Sequence, residues 1–226
     1  MKKYTSLFLD VDNTLLDFYA AESYAIKKLF AKYGIDNSEK SVSLYSAVNK
    51  KYWQKYERGE MKKEEILIER FRETLLLLGE KRDAKSMNGD YFNLLSSSSF
   101  LLDGAKELLY SLKQKGYLLY ATTNGVAKTQ YRRIKESGIE RFLDGIFVSE
   151  TAKACKPEKE YFDYAIEHSK EKDRSKILVI GDSMTSDIKG GINSGLDTCW
   201  FDGFGEEKLF EPTYTAKTLK EIDELL

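Results

Sequence analysis

Residues 7–14 of the chain read Leu7-Phe8-Leu9-Asp10-Val11-Asp12-Asn13-Thr14, an apolar run that ends in two carboxylates. In an extended chain, residues i and i+2 point to the same side, so Asp10 and Asp12 are expected to lie together. Two neighbouring anions at a strand end are costly unless a cation or a proton lies between them. Mg²⁺ suits such a place, because it binds oxygen ligands and keeps waters that a phosphate group can replace. A carboxylate there can also attack phosphorus and form an aspartyl-phosphate.

Four further apolar runs follow along the chain and indicate the fold class. They cover residues 117–121, 145–148, 177–180 and 198–201. Like residues 6–9, they are continuous rather than alternating, which is typical of strands covered on both faces of a parallel sheet. Helical patterns separate the later four runs, and this alternation predicts a doubly wound, Rossmann-like α/β fold with a parallel sheet.

A long helical insertion separates the first two predicted strands. Residues 17–99 show helical periodicity, no convincing strand, and glycines at intervals that punctuate the helices. Ligands of open α/β sheets bind at the carboxyl ends of the strands, and an insertion after the first strand is expected to cover that edge. The sequence therefore predicts a core domain of residues 1–16 and 100–226, and an all-helical cap domain of residues 17–99.

A second acidic stretch follows the apolar run of residues 177–180. It begins Gly181-Asp182-Ser183 and also contains Asp187. Asp182 would complete an oxygen-rich metal site with Asp10. Asp187 falls in the first turn of a predicted helix, where it would hold a metal-bound water; taken alone, it fits equally well an acid favoured at a helix N-terminus.

Two further elements carry groups that bind phosphate. Thr123, Asn124 and Gly125 follow the second strand, and their hydroxyl and amide groups can donate hydrogen bonds to phosphate oxygens; a plain Asn-Gly turn is the alternative. Lys156 and Pro157 stand just before a predicted helix, where the ammonium group would balance the nucleophile and the transferring phosphoryl group. With the two acidic stretches, these elements supply a nucleophile, an acid/base, a metal site and a charge stabiliser.

The composition argues against several other classes of protein. The 226 residues include 36 basic and 37 acidic side chains, a balance unlike that of proteins that bind nucleic-acid polymers. The single histidine, His168, argues against sites built on several histidines. The two cysteines, Cys155 and Cys199, suggest neither a disulfide framework nor a zinc site, and no apolar stretch is long enough for a signal peptide or a membrane span. We therefore predict a cytoplasmic protein with no membrane or nucleic-acid partner.

The four motifs together resemble those of the haloacid dehalogenase (HAD) superfamily of aspartate-nucleophile phosphotransferases, and the insertion resembles its helical C1-type cap. The resemblance implies that Asp10 is the nucleophile. It implies that Asp12 is the general acid/base, which protonates the leaving oxygen and later activates water. Thr123, Asn124 and Lys156 would then bind the phosphoryl group.

The same resemblance implies a Mg²⁺ cofactor. Its implied ligands are Asp10, the main-chain carbonyl of Asp12, and Asp182, with Asp187 in support. Haloacid dehalogenases lack an acid two residues after the nucleophile, so Asp12 argues against carbon–halogen cleavage. The expected enzyme is a phosphomonoester hydrolase that forms an aspartyl-phosphate intermediate. Since Cys155 directly precedes Lys156, oxidation of its thiol is expected to inhibit the enzyme.

A closer resemblance is carried by residues 190–201 and 122–125. They are similar to the 5′-nucleotidases of the YjjG and YfnB type, which hydrolyse nucleoside monophosphates and especially pyrimidine ones. Because these segments pack around the sheet, they indicate the subfamily more directly than the substrate. The expected partner is a small phosphorylated metabolite, a nucleotide, bound by a monomer or a weak homodimer. Packing in a helical core fits the aromatic residues of the cap better than a stack on a base; these residues are Tyr45, Tyr52, Trp53, Tyr56 and Phe71.

Other functions remain compatible with the motifs. A phosphatase for another small metabolite would share all of them. So would a phosphomutase of the β-phosphoglucomutase kind, which would retain the phosphoryl group on a bound intermediate. A phosphonatase would need a cap lysine as a Schiff base, and the cap contains many lysines. A non-catalytic regulatory module would show changes at the motif residues, and none is changed.

Overall fold

The structure, a computed structural model, describes residues 3–226 and divides them into two compact units. One unit is Phe18–Ser99, and the other joins residues 3–17 to Phe100–Leu226. The first unit contains only helices, whereas the second contains the sheet. Among residues 3–226, no helix combines the length and the apolar character that crossing a membrane requires.

The helical unit consists of α1 (Phe18–Tyr33), α2 (Glu39–Glu57), α3 (Lys63–Leu78) and α4 (Ala84–Ser96). Local signals mark the helix ends. The side chains of Ser38 and Asp83 accept hydrogen bonds from backbone N–H groups at the starts of α2 and α4. Gly79 ends α3 in a left-handed conformation, with φ of 70°. Tyr45 and Phe71 are fully buried in the apolar core of this unit, so both serve as core residues.

Within residues 3–226, six strands form one wholly parallel sheet. They are β1 (Ser6–Asp10), β2 (Leu118–Thr123), β3 (Gly145–Val148), β4 (Ile177–Gly181), β5 (Asp197–Phe201) and β6 (Tyr214–Ala216). Their order across the sheet is β3-β2-β1-β4-β5-β6. The chain thus proceeds from β1 to one edge and then returns to build the other side from β4 onwards. This doubly wound arrangement confirms the predicted fold class.

Helices cover both faces of the sheet. They are α5 (Ala105–Gln114), α6 (Ala127–Glu136), α7 (Ser149–Ala152), α8 (Lys159–His168), α9 (Lys189–Asn193) and α10 (Leu219–Leu225). Side chains alternate along a strand, so Leu7 and Leu9 of β1 pack in one apolar layer with α5 and α10, while Phe8 packs in the other with α8. Burial on both faces explains why the strands appear as continuous apolar runs.

The sixth strand was not predicted from the sequence. β6 has three residues, which are half-buried, exposed and buried in turn. A short strand at the edge of the sheet lacks the continuous apolar run by which the other five were recognised.

Candidate active site

The carboxyl end of β1 is the centre of the site. β1 lies between β2 and β4, and Asp10 at its end pairs in register with Thr122 of β2. Because the three strands are parallel, the segments that follow them leave from the same edge of the sheet. The structure therefore brings the residues after β1, β2 and β4 together, although they are far apart in the sequence.

Three carboxyl groups meet at this edge. Asp10, Asp182 and Asp187 each offer an oxygen atom, and these atoms lie within 4.8 Å of one another. Burial raises the pKa of Asp10 to about 8, although the charge of Lys156 acts in the opposite direction. Burial, and then the charges of Asp10 and Asp187, raise the pKa of Asp182 well above its usual range. A hard divalent cation would relieve this unfavourable crowding of charge, so the cluster fits a metal that prefers oxygen ligands.

Lys156 is a buried cation that joins two of these acids. Its ammonium group donates hydrogen bonds to Asp10 Oδ1 at 2.5 Å, to Asp187 Oδ1 at 2.7 Å and to the Thr122 carbonyl at 3.2 Å. Burial acts against its charge, but the two carboxylates outweigh burial and raise the pKa of Lys156 well above its ordinary value. The site therefore contains a permanent positive charge beside Asp10.

Asn124 holds the backbone of Lys156. Its Nδ2 donates to the Lys156 carbonyl at 2.8 Å, and its Oδ1 accepts from the Lys156 N–H at 2.9 Å. The peptide bond between Lys156 and Pro157 is cis. The Asn124 side chain thus positions Lys156, a contact that the sequence did not predict, and its assignment to phosphate binding stays a prediction.

The hydroxyl group of Thr123 has one hydrogen left to donate. It accepts hydrogen bonds from the Gly125 N–H at 3.0 Å and from Gln130 Nε2 at 2.8 Å. The Thr123 N–H donates to the Tyr161 hydroxyl, which in turn donates to the Phe147 carbonyl. A hydroxyl has one hydrogen and two acceptor lone pairs, and here both lone pairs are used. The O–H hydrogen of Thr123 is therefore suited to donate to a bound anion.

Thr14 ties the segment after β1 to the segment after β4. The Asp182 N–H donates to Thr14 Oγ1 at 3.1 Å, and the Thr14 hydroxyl lies 3.4 Å from Asp182 Oδ1. Trp200 Nε1 donates to the Asp182 carbonyl at 2.9 Å. Thr14 belongs to the first motif, but the sequence pattern alone assigned it no role. It orients one of the acids of the cluster.

A π-helical turn, Met184–Ile188, returns Asp187 to the end of β4. The Ser183 side chain accepts from the Ser186 N–H at the start of this turn, and the Ser183 N–H donates to Asp187 Oδ2 at 3.2 Å. Asp187 is fully buried. Its carboxyl group thus lies inside the acidic cluster, and its predicted role, support of the metal through a bound water, stays a prediction.

Asp12 differs from the other acids in its surroundings. Its side chain is 27% exposed, and its two oxygens accept hydrogen bonds from Gln130 Nε2, at 2.8 Å, and from Arg133. Neither partner was recognised from the sequence. The available signal was the spacing of Gln130 and Arg133, because helix residues three apart share a face.

Two residues considered in the sequence lie outside the acidic cluster. Cys155 is buried, and its N–H donates to Glu158 Oε2 at 2.9 Å. Burial restricts access to its thiol, and inhibition by oxidation stays a prediction. His168 is exposed at the end of α8, where its ring stacks on that of Tyr164.

The fold and this site together define a class of hydrolase, and comparison with known proteins identifies it. The sequence profile of the haloacid dehalogenase-like hydrolases matches residues 4–195. The chain belongs to this family. YfnB of Bacillus subtilis, described as a HAD-hydrolase, is 39% identical to it over 100% of this chain and 97% of YfnB.

Two other relatives carry more specific names. The pyrimidine 5′-nucleotidase PynA of Streptococcus pneumoniae is 32% identical over 97% of this chain and 93% of its own. The pyrimidine 5′-nucleotidase YjjG of Escherichia coli is 31% identical over 99% of this chain and 98% of its own. The crystal structure of magnesium-bound YfnB matches with a TM-score of 0.94 and 38% identity over 99% of each chain. These findings confirm the predictions of the family, the fold and a phosphatase.

Proposed function

We propose that this phosphatase hydrolyses nucleoside 5′-monophosphates, pyrimidine nucleotides before others, through an aspartyl-phosphate intermediate on Asp10. The observation that carries the proposal is the buried contact of Asp10 with Lys156, next to Asp182 and Asp187 at the carboxyl edge of the sheet. The names of PynA and YjjG support the class of substrate.

We further propose that Mg²⁺ binds to Asp10, the main-chain carbonyl of Asp12 and Asp182, with Asp187 in support. The raised pKa values of Asp10 and Asp182 support a cation at this place, because a nearby positive charge favours the ionised carboxylates. The magnesium-bound structure of YfnB supports the choice of metal. When bound, Mg²⁺ would polarise the phosphoryl oxygens and stabilise the charge that develops on them.

In the first step, a carboxylate oxygen of Asp10 attacks phosphorus while the bond from phosphorus to the ester oxygen breaks. Asp12 donates a proton to that oxygen, and the nucleoside leaves as an alcohol. Lys156 balances the negative charge of the phosphoryl group, and the O–H of Thr123 donates to one of its oxygens. The products of this step are the free alcohol and the Asp10 acyl phosphate.

In the second step, Asp12 acts as a base. It takes a proton from a water molecule, whose oxygen attacks the phosphorus of the acyl phosphate. Inorganic phosphate leaves, the Asp10 carboxylate is restored, and Asp12 holds the proton needed for the next cycle. Because Asp12 is partly exposed, water can reach its carboxyl group.

The proposal also assigns a separate role to each domain. We assign residues 17–99 to a cap domain that selects the substrate, and residues 1–16 and 100–226 to the catalytic core domain. We propose that the enzyme is cytoplasmic and that it is a monomer or a weak homodimer. Both of its cysteines are free thiols, which supports the proposed location.

Phosphate release from a panel of esters tests the proposal. The panel contains uridine, thymidine, adenosine and guanosine 5′-monophosphates, sugar phosphates and p-nitrophenyl phosphate, each with Mg²⁺ and with EDTA. We expect Mg²⁺-dependent release, fastest from the pyrimidine nucleotides, which Asp10→Asn abolishes. Asp103→Asn, at an exposed acid of the same unit, is the matched control and should retain full activity.

Different results would contradict different parts of the proposal. Release that persists in Asp10→Asn would rule out Asp10 as the nucleophile. A preference for sugar phosphates would rule out the nucleotidase assignment but keep the mechanism. Conversion of a sugar phosphate to its isomer without net phosphate release would identify a phosphomutase.

A further inference from the structure

Two side chains of α6 hold the carboxylate of Asp12 from two directions. Gln130 Nε2 donates to Asp12 Oδ2 at 2.8 Å, and an Arg133 guanidinium nitrogen donates to Asp12 Oδ1. Each carboxylate oxygen therefore has its own donor. Because the two donors act on different oxygens, they restrict the rotation of the carboxylate as well as its position.

These two donors are themselves fixed. Gln130 is 1% exposed and Arg133 is 0% exposed, although Asp12 faces a partly open environment. Arg133 also donates to Gln130 Oε1 at 3.2 Å, which directs the amide nitrogen of Gln130 towards Asp12. Burying a guanidinium group is costly unless its charge is paired, and the pair with Asp12 supplies that compensation.

The amide of Gln130 also reaches the phosphate-binding side of the site. Its Nε2 lies 2.8 Å from Asp12 Oδ2 and 2.8 Å from Thr123 Oγ1. One side chain thus spans the group assigned to proton transfer and a hydroxyl assigned to the phosphoryl group. The Gln130 side chain occupies the space beside Gly125 that a larger residue would need, since a Cβ at Gly125 would come 2.7 Å from Gln130 Cδ.

We propose that Gln130 and Arg133 are positioning residues that hold the Asp12 carboxyl group at a set place relative to the phosphoryl group. The inference rests on the proposed function, in which Asp12 transfers the proton to the leaving oxygen. Proton transfer requires the acid to lie within hydrogen-bond reach of that oxygen, so loosening Asp12 should impair this step specifically. Binding of the phosphoryl group by Lys156 should be affected little.

The basicity of the leaving group distinguishes this role from a structural one. An alkoxide, such as the 5′-oxygen of a nucleoside, leaves poorly unless it is protonated, whereas p-nitrophenolate leaves well without a proton. We expect Gln130→Ala to lower kcat/KM about 30-fold or more for the alkyl ester and only a few-fold for p-nitrophenyl phosphate. A general loss of structure would lower both values by the same factor.

The experiment compares kcat/KM for p-nitrophenyl phosphate and for the best alkyl phosphate of the panel. The variants are Gln130→Ala, Arg133→Ala and Arg133→Lys, with Asp12→Asn as the reference for complete loss of the acid. Arg132→Ala is the matched control, because Arg132 lies on the same helix but pairs with Glu136 at the surface. We expect Arg133→Lys to recover part of the activity of Arg133→Ala towards the alkyl ester, since it keeps the charge.

A second pair of variants keeps the inference testable if Arg133→Ala fails to fold. Gly125→Ala should displace the Gln130 side chain and lower the alkyl-ester activity about as much as Gln130→Ala does. When Gly125→Ala and Gln130→Ala are combined, their losses of alkyl-ester activity should not multiply. A displaced Gln130 amide and a missing one both leave Asp12 without the same hydrogen bond. Multiplying effects would overturn the inference.

The failure of this inference and the failure of the proposed function give different results. If the natural protein hydrolyses the esters and Asp12→Asn shows the larger loss with the alkyl ester, the role of Asp12 stands. The inference is then wrong if the Gln130 and Arg133 variants match Arg132→Ala, or if they lower both activities equally. If the natural protein hydrolyses no ester at all, the proposed function fails and the inference fails with it.

Discussion

The carboxyl group of Asp187 lies directly against the α-carbon of Gly181: a Cβ at Gly181 would come 2.3 Å from Asp187 Cγ and from Asp187 Oδ2. No side chain fits in that space without moving Asp187. Gly181 is the last residue of β4, and because it has no side chain, the Asp187 carboxyl group can pack against the end of this strand. The contact with Lys156 depends on this arrangement, because Asp187 accepts a hydrogen bond from the Lys156 ammonium group.

We predict that Gly181→Ala lowers kcat about 100-fold, because displacing Asp187 by an ångström or more misplaces Lys156 and the acidic cluster. Steady-state kinetics with p-nitrophenyl phosphate over a range of Mg²⁺ concentrations measure the effect. Gly89→Ala is the control: Gly89 lies within α4, and a Cβ there meets no atom within 4 Å. Normal kinetics in Gly181→Ala would show that the site tolerates a displaced Asp187.

Thr14→Val tests the link between the first and the last motif. Valine has the same shape but neither accepts from the Asp182 N–H nor donates to its carboxyl group. We predict that the apparent affinity for Mg²⁺ falls about tenfold, since groups that orient a metal ligand commonly contribute this much. Activity titrated with Mg²⁺ measures it. Thr14→Ser keeps the hydroxyl and should behave like the natural protein; an equal loss in both variants would mean that packing of the methyl group matters instead.

The raised pKa of Asp10 predicts how the stability of the metal-free protein depends on pH. A carboxyl group with a raised pKa binds its proton more tightly in the folded than in the unfolded chain. The stability due to that proton is therefore present below the unfolded pKa of about 3.9 and is lost as the pH rises through about 8. We predict that the Tm measured in EDTA falls as the pH rises through this range. The fall should be less steep in Asp10→Asn than in the control variant Asp103→Asn.

Mg²⁺ should reverse this loss. An ion that binds only the folded protein raises its stability, and a cation among ionised carboxylates removes their repulsion. The increase in Tm on adding Mg²⁺ should therefore be larger at about pH 8 than at about pH 5. If Mg²⁺ raised Tm equally at both pH values, repulsion within the acidic cluster would not be the cause of the pH dependence. The same conclusion would follow if the Mg²⁺-induced increase in Tm depended on pH in Asp10→Asn as it does in the natural protein.

A buried polar network stabilises the helical unit. Arg70 is 1% exposed and donates hydrogen bonds to the side-chain oxygens of Asn49 and Asn88, and Asn49 donates to the buried Glu22. We predict that Arg70→Met lowers the free energy of unfolding by about 3 kcal/mol, because it leaves buried polar partners without their cation. Denaturant titration followed by circular dichroism measures the change.

The matched control is Arg72→Met on the same helix. The Arg72 side chain is 65% exposed and pairs with Glu69 at the surface, so its removal should change the free energy of unfolding by no more than about 0.5 kcal/mol. Similar losses in the two variants would show that the buried network contributes no more than an exposed pair does.

Five of the six strands in residues 3–226 were predictable, because burial on both faces of a parallel sheet demands continuous apolar runs. The positions of Asp10 and Asp182 at the ends of β1 and β4 were predictable too, because each follows such a run, whereas the roles assigned to the motif residues stay predictions. β6 was not, because a three-residue edge strand carries too little pattern. Asn124 shows a different limit: the sequence did not indicate that its side chain pairs with the backbone of Lys156, and its assignment to phosphate binding stays a prediction.

The sequence by itself determined the layers of the fold, the helical insertion and the acids at the strand ends, because these depend on local pattern and on the direction of each strand. Only the tertiary structure decided which groups meet. Gln130 and Arg133 lie 118 and 121 residues from Asp12, yet both contact its carboxylate. Such contacts depend on how α6 packs beside the sheet. The local preferences of the chain do not specify which side chains this packing brings within hydrogen-bond distance.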